Sequence, residues 1–434
     1  MQANLARAGL ATLLGCTLAA LTLTGTASAG TGSRAASAGM AGAVGTVGTG
    51  TVGTGTGTGT GTTGASGATG TTGATGAVTA TTTTRPRLAG SAHAPTAYVI
   101  AGGGNDVYPI DTANDKVGKP INVGPHPFQL VVGRFGRFVY VSTSDGVTVI
   151  RTATNTVAKV IRIHGGVGEM ALGPEGKTLY ASAGQIVPIY TSTNTAGRPF
   201  DSGADVIALT PNGKILFTYD FDASTVSAID LATHKAGKPI DIGTDPTGIA
   251  FSPNSATAYV ASFSAVGLGG GQVVPITIAT GKAGSAIPAG MDPQSITISP
   301  SGKSLYVPDV TAATGDVIPI STATLTAGPT IPAGDNPESV WIAPGGKTGY
   351  VANTLDDTVA TINLATNTAG PRIGVGLGPE MVAFSPNGKT GYVINGGISG
   401  VGPGYRVTPI NTTKNTAEKS IRVALDPSYI IVAP

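Results

Sequence analysis

Eight times after residue 96 the chain returns to a short strand built around an aromatic residue. It reads AYVIA from Ala97, FVYVS from Phe138, TLYAS from Thr178, ILFTY from Ile215, TAYVA from Thr257, SLYVP from Ser304, TGYVA from Thr348 and TGYVI from Thr390. The period is about 42 residues. A second polar/apolar strand follows each copy, for example DVYPID, GVTVIR, DVIPIS or TVATIN. Then come a turn such as ATHKAGKPI or ATNTAGPRI, a third strand, and a strand such as PTGIAFSP or PESVWIAP. Gly, Pro, Asn and Asp punctuate all of these, and no helical period of useful length appears.

Four short strands per repeat, repeated in series, predict an all-β chain folded as a β-propeller, each four-stranded blade covering the faces of its neighbours. The chain begins on an aromatic strand and ends on DPSYIIVAP, which matches the strand that precedes the aromatic one in other repeats. The C-terminal strand is therefore expected to complete the N-terminal blade and close the ring. Eight aromatic strands predict eight blades, with seven as the alternative if the short third unit is spliced out. The insertions SFSAVGLGGGQ in blade five and GGISGVGPGY in blade eight fall between the aromatic strand and the next, on one face of the disk.

YVAN at Tyr350–Asn353 and YVIN at Tyr392–Asn395, each followed by a TVxxI-type strand, resemble the YVTN-repeat propellers, bacterial proteins similar to the YncE family. The likeness covers 97–434, although blades three and four read LYAS and LFTY. It implies a propeller outside the cytoplasm and little chemistry. Some such relatives bind single-stranded DNA and others adhere to surfaces. Lactone hydrolases and haem or copper enzymes use similar rings, so the fold alone does not choose a function.

The N-terminus fits export. Arg7 precedes the apolar run AGLATLLGCTLAALTLTG, and Ala27–Ala29 offer small residues for cleavage, so 1–29 reads as a signal peptide. Cys16, the only cysteine, lies inside it; Leu13 and Gly15 suit a lipoprotein box, but Leu14 and the apolar residues beyond the cysteine do not. Residues 30–95 are a Gly/Thr/Ala tract with almost nothing to bury, expected to be a disordered linker. As a coil it would span about 45 Å. The propeller is then 96–434, with no later apolar run long enough to span a membrane. All 23 acidic residues lie from Asp106 onward, with 21 of the 25 basic ones, so this body is nearly neutral and lacks a nucleic-acid footprint.

SPNGKT at Ser385–Thr390 ends like a phosphate-binding P-loop. The motif needs a glycine five positions before its Gly-Lys, and Ala383, Trp341 and Ala171 stand there in the three GKT copies. Its recurrence as GPEGKT, TPNGKI, SPSGKS and APGGKT predicts a hairpin corner instead, with glycine taking a positive φ and lysine exposed.

The candidate binding residues stand before the proline that opens the inner strand: His126, Asp245, Asp292, Asn336 and Asp426. His164 occupies an equivalent junction, and Gly166, Gly203 and Gly378 stand near it in other blades. Propeller geometry puts these junctions at the mouth of the central channel, where they could hold a cation or a basic ligand. The competing reading is local: Asp and Asn before Pro start turns well. Two imidazoles at adjoining junctions, His126 and His164, suggest a zinc or copper site without any close-spaced ligand pair to support it. His234 replaces an asparagine and reads as a turn residue. Arg134, Arg137, Arg151, Lys159 and Arg162 cluster in blade two with Phe135 and Phe138, as a solvated edge or a nucleic-acid patch. No Gly-x-Ser-x-Gly elbow occurs, and no catalytic residue, resident metal or cofactor is assigned. The expectation is an exported, monomeric binding or scaffold module for an extracellular ligand, protein or surface. A hydrolase or metal oxidoreductase, or a single-strand binder, remains the alternative.

Overall fold

The computed structural model describes residues 94–434 apart from 102, 201–205, 221–223, 244, 264–269, 311–314 and 399–401. The signal segment and all but the last two residues of the linker lie outside the described residues. The described chain forms eight antiparallel sheets, each built from four successive strand positions, and is an eight-bladed β-propeller. We number blades by their aromatic strands, from Thr96–Ala101 in blade 1 to Thr390–Ile398 in blade 8. A single short 3-10 turn, Arg134–Gly136, is the only helical element among the described residues.

Ring closure follows the expected device. Pro427–Ala433 pairs antiparallel with Thr96–Ala101, Tyr98 opposite Ile431 and Thr96 opposite Ala433, so both ends of the fold share one sheet. The outer position of most blades is broken into two-residue pieces, such as Lys116–Val117 and Ile121–Asn122. In blade 1 a Gly-Lys-Pro stands between them, and proline removes the ladder donor there. Blades 2 and 7 keep one outer strand each, Thr156–Arg162 and Thr368–Gly374.

The core is layered between blades. Eight apolar clusters each span one interface; the cluster that joins the ends mixes Tyr392, Ile394 and Val407 of blade 8 with Ala97, Val99 and Ile430 of blade 1. Both faces of each aromatic strand are thus covered, which is why Tyr98, Tyr140, Tyr306, Tyr350 and Tyr392 are all fully buried.

Two sequence repeats act as joints in this layering. The first is the tyrosine of the aromatic strand. Its hydroxyl donates to the turn residue of the next blade: Tyr98 to Asn155 Oδ1 (2.5 Å), Tyr140 to Asn194 (2.7 Å), Tyr306 to Asn367 (2.8 Å), Tyr350 to Asn415 (2.8 Å), and Tyr392 to Asp115 across the closure (3.3 Å). Every one of these acceptors has a left-handed φ between 51° and 57°, which Asn and Asp tolerate better than other side chains. One asparagine therefore serves the turn within its own blade and the bond to its neighbour.

The second joint is SPNGKT. Ser385 Oγ accepts the Thr390 N–H (3.0 Å), Asn387 Oδ1 accepts the Lys389 N–H (2.9 Å), and the Gly388 N–H donates to the Ser385 carbonyl (2.8 Å). All three N–H groups of Gly-Lys-Thr are used inside the turn, so none is left to cradle a phosphate. Gly388 has φ +69°, as the hairpin requires, and Lys389 is exposed. The glycine also fits against the proline of the preceding blade: a Cβ on Gly213 would lie 2.5 Å from Pro174 Cδ, and one on Gly302 2.7 Å from Pro253 Cδ. Pro434 fills this slot for blade 1, with a Cβ on Gly136 only 2.6 Å from its Cγ. Blade 5 has Ser255 instead of glycine, and its hydroxyl accepts the Asn212 N–H of blade 4 at 3.0 Å.

Candidate functional site

Five of the six predicted mouth residues lie on the connections from outer to inner strand, and Asp245 opens the inner strand Asp245–Phe251; these connections share one face of the disk with the turns that follow the aromatic strands. His126 is exposed, with Nδ1 3.2 Å from Ser144 Oγ. His164 is also exposed. Asp245 accepts from Ser224 Oγ at 3.2 Å. Among the described residues, no group of three or more His, Cys, Asp or Glu side chains is placed to hold a metal ion.

His126, Asn336 and Asp426 have φ of 48°, 57° and 55°, and Gly166 and Gly378 have 77° and 61°. Proline disfavours the right-handed α region for the residue before it, and at these junctions the chain turns through the left-handed region. That conformation accounts for Asn336, Asp426, Gly166 and Gly378 by backbone need, whereas Asp245 and Asp292 do not adopt it. Gly203 lies outside the described residues.

Two junctions carry more than a turn. In blade 6 the carboxylate of Asp309, at the end of the aromatic strand, accepts the Met291 and Asp292 N–H groups at 2.8 and 2.6 Å. Gly290 permits this, since a Cβ there would lie 2.2 Å from the Asp309 carboxyl carbon. Burial and then the Asp309 charge push the Asp292 carboxyl up to about 6; burial also raises Asp309.

In blade 7 Asn336 Nδ2 donates to Glu338 Oε1 (3.2 Å), which also accepts from Thr354 Oγ1 (3.0 Å). Asn353 Nδ2 donates to the Ala333 carbonyl (3.3 Å) and to Thr358 Oγ1 (3.0 Å). Both amides are thereby oriented, since turning either would set its oxygen against an acceptor. Asn336 Oδ1 and Asn353 Oδ1 are then left buried with no hydrogen-bond donor. These residues are only 9% and 0% exposed. Each unsatisfied acceptor costs about 1–3 kcal/mol. Asn336 was foreseen as a junction residue. Glu338 and Asn353 were not singled out, although the YVxN pattern that ends on Asn353 was the signal.

Below the mouth, inner strands are linked around the channel by side chains. Gln129 Oε1 accepts the Met170 N–H of the next blade (2.5 Å), Glu169 Oε2 the Ile207 N–H (3.3 Å), and Ser295 Oγ donates to the Glu338 carbonyl (3.0 Å). Glu169 is only 4% exposed, and burial raises its carboxyl to about 8 despite the Ile207 N–H.

Three of the five blade 2 cations find partners within the blade. Arg162 Nη1 lies 3.7 Å from Asp145 Oδ2, and the guanidinium groups of Arg134 and Arg151 sit over the rings of Phe135 (4.6 Å) and Phe138 (5.4 Å). No helix among the described residues is long and apolar enough to cross a membrane.

No family model and no curated protein matches the chain. Solved propellers do. Dihydro-heme d1 dehydrogenase NirN superimposes with a TM-score of 0.61 at 14% identity, over 80% of this chain and 76% of that one. Apo AztD from Citrobacter koseri gives 0.58 at 12% identity, over 78% and 98%. Hydrazine synthase of Kuenenia stuttgartiensis gives 0.51 at 20% identity, over 70% and 97%. At such identities the likeness is one of fold, and enzymes and other proteins share it. The sequence repeats and the closed sheet order make the chain an eight-bladed β-propeller, and these neighbours share the propeller fold.

Proposed function

We propose that the protein is an exported binding module of the YVTN-repeat kind, carried on a Gly/Thr linker, whose junction face takes a small cationic ligand at blades 6 and 7. The observation that carries this reading is two buried, donorless amide oxygens in one blade: that of Asn336, whose amide nitrogen bonds Glu338, and that of Asn353, opposite Pro337 on the neighbouring strand. A metal cation or an ammonium group is the partner that oxygen acceptors and a carboxylate select together. The Asp292–Asp309 pair adds negative charge to the same face. Export rests on the N-terminal sequence, and the YVTN assignment on the repeat wording.

Calorimetric titration of the mature chain with calcium chloride and, separately, spermidine tests the reading. One of the two should bind at the mouth, and Asn336→Ala or Glu338→Gln should weaken it at least tenfold. Heat from neither probe, or unchanged affinity in both variants, overturns it: water would then be the natural occupant of the oxygens.

A further inference from the structure

Among the described residues five interfaces carry the tyrosine joint; those of blades 3–4, 4–5 and 5–6 lack it, and at the first of these an open cleft stands beside Tyr180 and the turn of blade 4. Blade 3 supplies the tyrosine, Tyr180, but the turn of blade 4 has His234 where five other turns have Asn or Asp. His234 keeps the left-handed turn, with φ 58°. Its ring does not accept from Tyr180; it stacks flat on Phe200, centroids 4.0 Å apart and planes within 3°. Among the described residues the apolar cluster at this interface centres on Ile186, Ile207, Leu209, Leu216 and Ile229, and Tyr180 and Phe200 at its edge are only partly buried.

The resulting pocket has a volume of about 470 Å³ and is walled by Tyr180, Tyr190, Pro199, Phe200, Arg198 and His234. That volume is in the range of small-molecule sites. Tyr190 is held across the cleft because Gly197 leaves room beneath it, where a Cβ would lie 2.9 Å from the Tyr190 ring. Four aromatic rings and two prolines, Pro188 and Pro199, line it, side chains whose flat surfaces can stack on another ring. Arg198 is exposed at the edge, and among the described residues no carboxylate pairs with it. A guanidinium beside aromatic faces matches a planar carboxylate in shape and charge. Tyr180 and Tyr190 line the same space, and each brings a hydroxyl that can donate to a ligand's oxygens.

We propose that this rim cleft is a second binding site, separate from the channel mouth, for a small ring that carries a carboxylate. Both an aromatic acid and a sugar acid have that chemistry. The blade 3–4 joint has been exchanged for a ligand site, and His234 is the residue that makes the exchange.

The test is ligand-observed NMR and calorimetry on the mature chain with benzoate and with glucuronate, against benzyl alcohol and glucose as their neutral counterparts. At least one acid should bind tenfold or more tightly than its neutral counterpart. Benzoate alone would name an aromatic acid, glucuronate alone a sugar acid, and both would support the shared chemistry. Arg198→Ala should erase the preference for the acid. His234→Asn should fold, since Asn holds this turn in other blades, restore the bond from Tyr180, raise thermal stability and weaken binding at least tenfold. No binding by either acid, or an acid preference that survives Arg198→Ala, overturns the proposal.

Discussion

The joint between blades 7 and 8 can be measured as a pairwise energy. Tyr350 is buried, and its hydroxyl donates to Asn415 Oδ1 at 2.8 Å, with the Thr412 carbonyl farther off at 3.4 Å. Tyr350→Phe removes the donor and leaves the ring in place. Asn415 is half-buried, so its freed oxygen can recover water, and the expected loss is about 1 kcal/mol. Asn415→Gly loses the same bond. Glycine suits the φ of 52° at this turn, while its extra freedom when unfolded offsets that gain, so about 1 kcal/mol is again expected. The double variant reproduces a pair that the chain already contains: Phe217, which has no hydroxyl, belongs to blade 4, and Gly281 occupies the turn of blade 5. It should lose about 1 kcal/mol, not 2, giving a coupling of about 1 kcal/mol. Equilibrium urea unfolding followed by the fluorescence of Trp341 suits the measurement, because Trp341 is the single tryptophan and lies in the same layer as Tyr350. Burial pushes the Tyr350 hydroxyl up to about 12, so the coupling should not change between pH 6 and 9. A coupling below about 0.3 kcal/mol with unchanged m-values would show that the joint does not hold the blades.

Two further perturbations test the same account. Gly213→Ala puts a methyl at φ +69° and 2.5 Å from Pro174, and should destabilise by about 1–3 kcal/mol in urea unfolding; a neutral result would remove the glycine–proline contact from the account. Glu169 holds its proton to about pH 8 when folded and loses it near 4.5 when unfolded, so stability should fall as pH rises between those values, by up to about 1.4 kcal/mol per pH unit. Glu169→Gln should abolish that slope and be more stable than the parent at pH 8, with little difference at pH 4; equal slopes for the two proteins would rule out the buried acid as its source.

The mouth was only partly legible in the sequence. The junction residues could be found because proline marks each connection, and Asn336 and Asp292 were among them. What separates these two from His126 or Asp245 is the strand end opposite, Asn353 in one blade and Asp309 in the other. That pairing joins positions 17 residues or more apart, and nothing in either segment announces it. His234 was readable as the odd residue in a repeated turn, yet its meaning depends on Tyr180 and Phe200 of the preceding blade.

The sequence by itself determined the ring. A repeat of four strands that cannot bury both faces alone must stack, and a final strand that matches the missing first one must close the stack. It also determined that Gly-Lys-Thr is a corner, because a catalytic loop has no reason to recur in most blades. Only the tertiary structure decided what the repeated letters are for. Tyrosine and asparagine lie more than 50 residues apart in the chain and 2.5–2.8 Å apart across four interfaces; glycine and proline meet in the same way. Hydrogen bonds and van der Waals contacts act over ångströms, so their partners are fixed by how blades seat against one another. For the same reason the two candidate sites appear where the repeat departs from itself: the donorless oxygens at the mouth, and the cleft left by His234.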